Sequence, residues 1–332
     1  MTNHKLTRRG FMARTGAVMG GISAATALPG GAAMAQNAHA RKFYTNLSLG
    51  RLGFSGTFEQ SVELAHTYGF EAVDPDTNLF ARLSDGDLKR LLADLAAKNL
   101  TFGAAGLPVD FRHDDAAFNE SLKALPEYSK TLARAGIVRS STWIMPSSNS
   151  LTYLQNFRQH ACRLRACAKI LASHGQRLGL EYVATRTLWR SGRQPFIHTM
   201  SEMKELEAAI GTNNMGIQLD SWHWYNAEET AGDIESLCSK GVITVDFNDA
   251  PRLPLDQLRD DHRELPAATG VIPAKQFLGA LVAIGYDGPI QAEPFNAQLR
   301  IMPLDSAVAA AAAAIRKAFA EAGLSWTRDG RG

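Results

Sequence analysis

What most constrains the fold of this chain is an alternation. From residue 42 onward, short apolar runs take turns with segments of helical spacing, eight times over. The runs are "KFYTNL" (42–47), "FEAVDP" (70–75), "LTFGAAGLPV", "VRSSTWIMP", "RLGLEYV", "MGIQLDSWHWY", "VITVDFNDA" and "GPIQAEPF". Helix-like stretches separate them. In "TFEQSVELAHTYG" (57–69), Phe58, Val62, Leu64 and Ala65 make an apolar face, with Thr57 placed as N-cap and Gly69 as C-cap. Leu88, Leu91, Leu92 and Leu95 repeat the helical spacing in residues 84–99. Parallel strands each need a helical crossover, so eight such units predict a parallel (β/α)8 barrel, a TIM barrel, as one domain over residues 42–325. A doubly wound open sheet is the runner-up. No G-x-G-x-x-G turn follows the first strand, which counts against it.

The start of the chain reads differently. "TRRGFMA" carries the pair Arg8-Arg9, and a Gly/Ala-rich stretch of modest apolarity follows, ending in small residues at Ala33 and Ala35. This is the layout of an export signal over residues 1–35, and the arginine pair points to the twin-arginine machinery as a partner and to the periplasm as destination. An uncleaved membrane anchor is the lesser alternative, because a spanning helix needs about 20 strongly apolar residues. Residues 36–41 read as a linker and 326–332 as a C-terminal tail.

The signal also explains the charge. Lys5, Arg8, Arg9 and Arg14 lie in residues 1–35, where no acid occurs, so removing the segment turns a net charge of +2 into −2. Nothing in that balance provides a nucleic-acid surface. Cys162, Cys167 and Cys238 are odd in number and lie in helix-like segments, which predicts buried free thiols rather than a disulfide framework.

In a barrel of this kind the chemistry sits at the C-terminal ends of the strands. Strand five ends in Glu181, and strand six in Asp220 with His223 three residues on. Strand seven carries Asp246 and Asp249, and strand eight ends in Glu293. Each has an ordinary alternative: an arginine partner for either glutamate, a helix cap for Asp220, aromatic packing for His223, a turn for Asp249. Together, on successive strand ends, so many acids would repel one another, and a divalent cation removes the repulsion. Carboxylates and imidazole suit Mn²⁺, Mg²⁺, Co²⁺ or Zn²⁺.

The segments "GLEYV", "LDSWHW", "VDFNDAP", "HRELPAATGVIP" and "GYDGPIQAEPF" resemble the sugar phosphate isomerase/epimerase family of xylose isomerase-like barrels, over residues 42–323. The resemblance implies metal ligands at Glu181, Asp220, the strand-seven position and Glu293. At strand seven the family shows histidine and this chain has Asp246, which favours Mg²⁺ or Mn²⁺ over Zn²⁺. His262 is the alternative ligand. The resemblance further implies that His223 and Arg263 contact substrate oxygens. Trp143, Trp189, Trp222 and Trp224 stand near strand ends, where they stack on a sugar ring or pack the rim.

The expected activity is metal-dependent isomerisation or epimerisation of a sugar or keto-sugar. Glu181 and Glu293 form the acid/base pair for proton abstraction next to a carbonyl, through an enediolate. Elimination from a keto-sugar or 3-keto-glycoside by a lyase or dehydratase is the first alternative. A non-catalytic sugar-binding barrel is the second.

Overall fold

Nine strands form the main sheet of the computed structural model, which describes residues 41–328. In sheet order they are Thr101–Phe102, Ala72–Val73, Tyr44–Leu47, Pro289–Ala292, Val242–Phe247, Met215–Asp220, Arg177–Glu181, Arg139–Trp143 and Ala105–Gly106. Every pairing between them is parallel. The first and last segments are two halves of one chain stretch, interrupted at Gly103 and Ala104, so the sheet closes on itself as an eight-stranded TIM barrel. Only glycine fits at the first of these positions. A Cβ at Gly103 would lie 2.7 Å from the amide of Asn46, which fills the barrel interior there.

The helices form where spacing and caps predict them. Thr57, Thr152 and Thr199 each open a helix with a capping box, closed reciprocally by Gln60, Gln155 and Glu202. Gly69, at φ +73°, ends the first of these in a left-handed turn that a Cβ would oppose. The last helix, Leu304–Glu321, lays Val308, Ala311, Ala312, Ile315 and Phe319 into the core.

The segment 227–241, between strands six and seven, reads as one helix in the sequence but is broken into Ala231–Glu235 and a 3-10 turn, Ser239–Gly241. Ile234 is its one buried residue, too little apolar surface to support a longer helix. The cysteines also depart from expectation. All three are free, but only Cys167 is buried, and Cys162 and Cys238 are exposed. Cys162 sits five residues from Cys167 on one helix, which turns it to the opposite side.

The expected export segment, residues 1–35, lies outside the described residues, as do 36–40 and 329–332 of the expected linker and tail. No helix among the described residues is long and apolar enough to cross a membrane.

Inside the barrel lies a polar layer that apolar strands do not announce. Asn46, Gln218, Thr244, Asp246 and Gln291 are all buried. The Gln291 amide donates to Thr244 Oγ1 (3.0 Å) and Asp246 Oδ1 (2.7 Å), and its oxygen accepts from Asn46 (3.2 Å). Each amide is thereby fixed in one orientation, and the layer forms the floor beneath the strand-end acids.

Candidate active site

The barrel geometry brings Glu181, Asp220, Asp246 and Glu293 together. Ligand atoms of Glu181, Asp220 and His223 lie within 4.8 Å of one another, and so do those of Glu181, Asp246 and Glu293. Glu181 has the least local support. Its Oε1 is buried and has no hydrogen-bond partner. Burial, then the charges of Glu293, Asp220 and Asp246, push its pKa well above the usual carboxylate range.

Asp220 is held tightly at the end of its strand. Oδ1 accepts from the Trp222 amide (2.8 Å) and from Asn248 Nδ2 (3.0 Å), and Oδ2 accepts from Arg263 Nη1 (2.7 Å). The helix-cap role and the site role therefore coexist in one carboxylate. Burial raises its pKa to about 7 against the pull of Arg263. Glu293 is raised to about 8, by burial first and then by Asp246. Its Oε2 takes a 2.7 Å bond from the same Nη1 of Arg263.

Arg263 is the hub of the site. Beyond Asp220 and Glu293, its Nη2 donates to Asp260 Oδ1 (2.9 Å) and lies 3.3 Å from His223 Nε2. Its guanidinium stacks on Phe295 at 4.4 Å. His223 takes the Ala184 amide at Nδ1 (3.2 Å) and the Arg263 guanidinium at Nε2 (3.3 Å), and Nε2 lies 3.9 Å from Glu181 Oε1. Burial, helped by the Arg263 charge, lowers its pKa to about 3, so the ring is neutral at physiological pH.

Other expected residues fall elsewhere. His262 is 58% exposed with its Nε2 4.0 Å from Asp261, and among the described residues it belongs to neither cluster of metal-ligand side chains. Asp249 accepts from four backbone amides, of Ala250, Thr269, Gly270 and Ile272, and clips a loop. Trp222 and Trp224 are buried and pack the rim. Trp189 stacks on His198 at 4.6 Å. Trp143 is 41% exposed, and Arg112 lies over its ring at 4.2 Å.

Trp143, Met145, Val183, Leu188 and Phe295 form apolar walls around a cavity of about 470 Å³, and Glu181, His223, Arg263 and Glu293 form its polar part. Sequence reasoning missed Arg51, Asp260 and Phe295. Phe295 follows Glu293-Pro294 at φ +39°, a conformation rare for a residue with a side chain. Gln218 and Gln291 carried a signal: each is an inward polar residue in an otherwise apolar strand.

Asp74, Glu181, Asp220, Asp246, Asp260 and Glu293 face two guanidiniums, Arg51 and Arg263. Together with the unpartnered Glu181 oxygen, this excess of negative charge fits a divalent ion.

A closed parallel barrel with acids converging on the strand ends defines a class of small-molecule enzyme sites. Residues 62–320 match the family of xylose isomerase-like TIM barrels, and the chain belongs to that family. It is 28% identical over 260 residues to a 3-dehydroshikimate dehydratase of Pseudomonas aeruginosa, matching 77% of this chain and 39% of that protein. The chain thus spans about two fifths of that relative. An inosose isomerase of Bacillus velezensis is 20% identical over 245 residues, covering 73% of this chain and 85% of its own. Among solved structures, a xylose isomerase domain protein from Alicyclobacillus acidocaldarius superposes with a TM-score of 0.74 at 28% identity, over 84% of this chain and 99% of that one. The IOLI protein, crystallised with a zinc atom, shares the fold with a TM-score of 0.69 at 17% identity, over 84% and 99%. The chain's relatives are enzymes acting on sugar-like substrates.

Proposed function

We propose that this protein isomerises or epimerises a sugar or keto-sugar by moving a proton at a carbon next to a carbonyl. The carrying observation is the pair Glu181, buried, and Glu293, partly buried, two carboxyls with raised pKa on one cavity. Glu181, Asp220, Asp246 and Glu293 would hold one divalent cation, Mn²⁺ or Mg²⁺ ahead of Co²⁺ or Zn²⁺ for so anionic a set. Bound there, the ion would draw electron density from a carbonyl and its neighbouring hydroxyl and so acidify the adjacent C–H.

The chain's own groups do the rest. One glutamate takes the proton as a carboxylate and the other returns one as a carboxylic acid, roles that their raised pKa values suit. Arg263 donates to the oxygen on which negative charge develops in the enediolate, and His223 contacts a substrate oxygen beside it. Return to the opposite face gives an epimer, and return to the neighbouring carbon gives an isomer. The likeness to a dehydratase supports a second reading, in which loss of a leaving group β to the carbonyl replaces proton return.

The Arg8-Arg9 segment motivates a periplasmic location, reached through the twin-arginine machinery. Phosphorylated sugars are mainly cytoplasmic, so the reading favours a free sugar, a keto-sugar or an oxidised glycoside. The test is solvent exchange. Incubated with Mn²⁺ and a panel of ketoses and 3-keto-glycosides in D₂O, the protein should place deuterium next to the carbonyl, and Glu293→Gln should abolish the exchange. A variant that exchanges as fast as wild type sinks the assignment.

A further inference from the structure

The space around the acids does not stop at the cavity. Leu188, Asp260 and Phe295, which line the cavity, also line an adjoining open groove with Thr187, Gln257, Arg259 and Arg300. The three shared residues are each only partly buried, so they make a lip that a ligand can cross. The groove measures about 690 Å³ against about 470 Å³ for the cavity, which leaves room for a second unit as large as the reacting one.

Most of the charge in the groove is already paired. Arg259 donates from Nε and Nη2 to the two oxygens of Asp261, at 3.0 Å each. Asp260 Oδ1 accepts from Arg263 Nη2 (2.9 Å) and from Thr185 Oγ1 (3.0 Å). Two groups are left over. Among the described residues, Asp260 Oδ2 accepts no hydrogen bond, and the Arg300 guanidinium makes neither a hydrogen bond nor an ion pair. Arg300 is nonetheless held in place. Its stem lies over Gly53, where a Cβ would come 2.9 Å from the arginine Cγ, and its guanidinium sits 5.8 Å from the Phe295 ring. Gly53 ends the helix Leu49–Leu52 at φ +88°, a conformation that glycine adopts without strain. The same Phe295 ring carries Arg263 at 4.4 Å, so one aromatic side chain touches both the hub of the site and the free cation of the groove.

A ligand that answers these groups must donate to Asp260, accept from Arg300 and lay an apolar face on Phe295. Sugar hydroxyls both donate and accept, and the C–H face of a pyranose supplies the third contact. A carboxylate or phosphate would meet the charges of Asp260 and Asp261 beside Arg300. An aryl group would leave Asp260 and Arg300 unanswered. We propose that the substrate is an oxidised disaccharide, with its keto-sugar over Glu181 and Glu293 and its second sugar in the groove, on Phe295 and between Asp260 and Arg300. The inference rests on the functional reading above and narrows it to a substrate class. Arg300 sets specificity by this account and takes no part in moving the proton.

The full chain with Mn²⁺, as wild type and as Arg300→Met, is assayed for deuterium exchange on the 3-keto derivatives of methyl α-glucoside, phenyl α-glucoside and trehalose, which differ only in what the keto-sugar is linked to. Methionine keeps the stem over Gly53 and removes the donors. Wild type should show a kcat/KM for the trehalose derivative at least about tenfold above that for the methyl derivative, the scale of one hydrogen bond to a charged group, with the difference in KM. Arg300→Met should bring the ratio of the two values close to one. Equal values in wild type overturn the proposal, and so does a ratio that survives in Arg300→Met. A phenyl derivative preferred to the trehalose derivative overturns it in favour of an aryl unit. If none of the three exchanges, the functional reading fails instead, and the groove is judged by calorimetric binding of the same compounds. Wild type binding the trehalose derivative at least about tenfold more tightly than the methyl derivative, with Arg300→Met binding the two alike, supports the groove. Equal binding by wild type overturns it.

Discussion

At the scale of the residue, Glu181 and Trp143 show how position changes what a side chain is for. They are register partners on neighbouring strands, so the acid and the aromatic edge of the cavity are fixed by one pair of backbones. One face of the Trp143 ring is covered by Arg112, whose Nη2 also donates to Thr142 Oγ1 at 2.8 Å. The ring is therefore held rigid while it lines the cavity, which suits it to stack on a sugar. Trp143→Ala should raise KM by about tenfold with kcat little changed, from loss of on the order of 1 kcal/mol of stacking. Steady-state kinetics on the accepted ketose checks this, and a fall in kcat with constant KM would place Trp143 in the chemistry. The strand-end acids were legible in sequence because each closes an apolar run. Arg51 was not, because it belongs to a four-residue helix with no periodic pattern, and its importance comes from Asp246, which lies 195 positions away.

At the scale of the element, the loop after strand seven is as much part of the site as the strands. It carries Asp260 and Arg263, and Asp249 closes it by accepting amides from Thr269 (2.8 Å), Gly270 (2.7 Å) and Ile272 (2.9 Å) at its far end. The Asp249 and Glu264 backbones also exchange hydrogen bonds, at 2.9 Å each way. A turn residue was one of the sequence readings for Asp249, and the structure shows why an acid is needed: a buried carboxylate satisfies several amides that no sheet would reach. Asp249→Ala leaves those amides buried without an acceptor and should cost about 3 kcal/mol of stability. Since Arg263 rides on the loop, activity should fall too, even at temperatures where the variant is folded. Urea unfolding and exchange assays measure the two effects separately. The eight strand-helix units were readable because their spacing is local. The need for glycine at Gly103 and the broken helix near Ile234 were not, since the first depends on Asn46 across the barrel and the second on how little the segment buries.

At the scale of the whole molecule, stability carries a pH dependence that starts from a histidine outside the acid cluster. His160 lies on the helix Tyr153–Ala172, between Phe111 and Phe196, with ring centroids 5.5 Å and 5.0 Å away. Nδ1 donates to the Asn156 carbonyl at 2.9 Å, and Nε2 is buried with no partner. Protonation would place a charged N–H at Nε2 with nothing to accept it, and Arg112 and Arg163 add like charge. Burial first, then these arginines, lower the pKa to about 4 from 6.5. A base with a depressed folded pKa leaves the unfolded chain holding more protons between the two values. Its contribution is therefore complete above about pH 6.5 and is lost progressively as the pH falls to 4, by on the order of 3 kcal/mol. His160→Asn removes the titrating group while keeping an amide donor near the Asn156 carbonyl. The variant should be less stable at pH 7 but show a flatter decline between pH 6.5 and 4 in urea melts. An equal slope in the two proteins would mean that acid instability comes from other groups. The folded chain would then already tolerate a charged His160, and the packing around Phe111 and Phe196 would have to open to admit water.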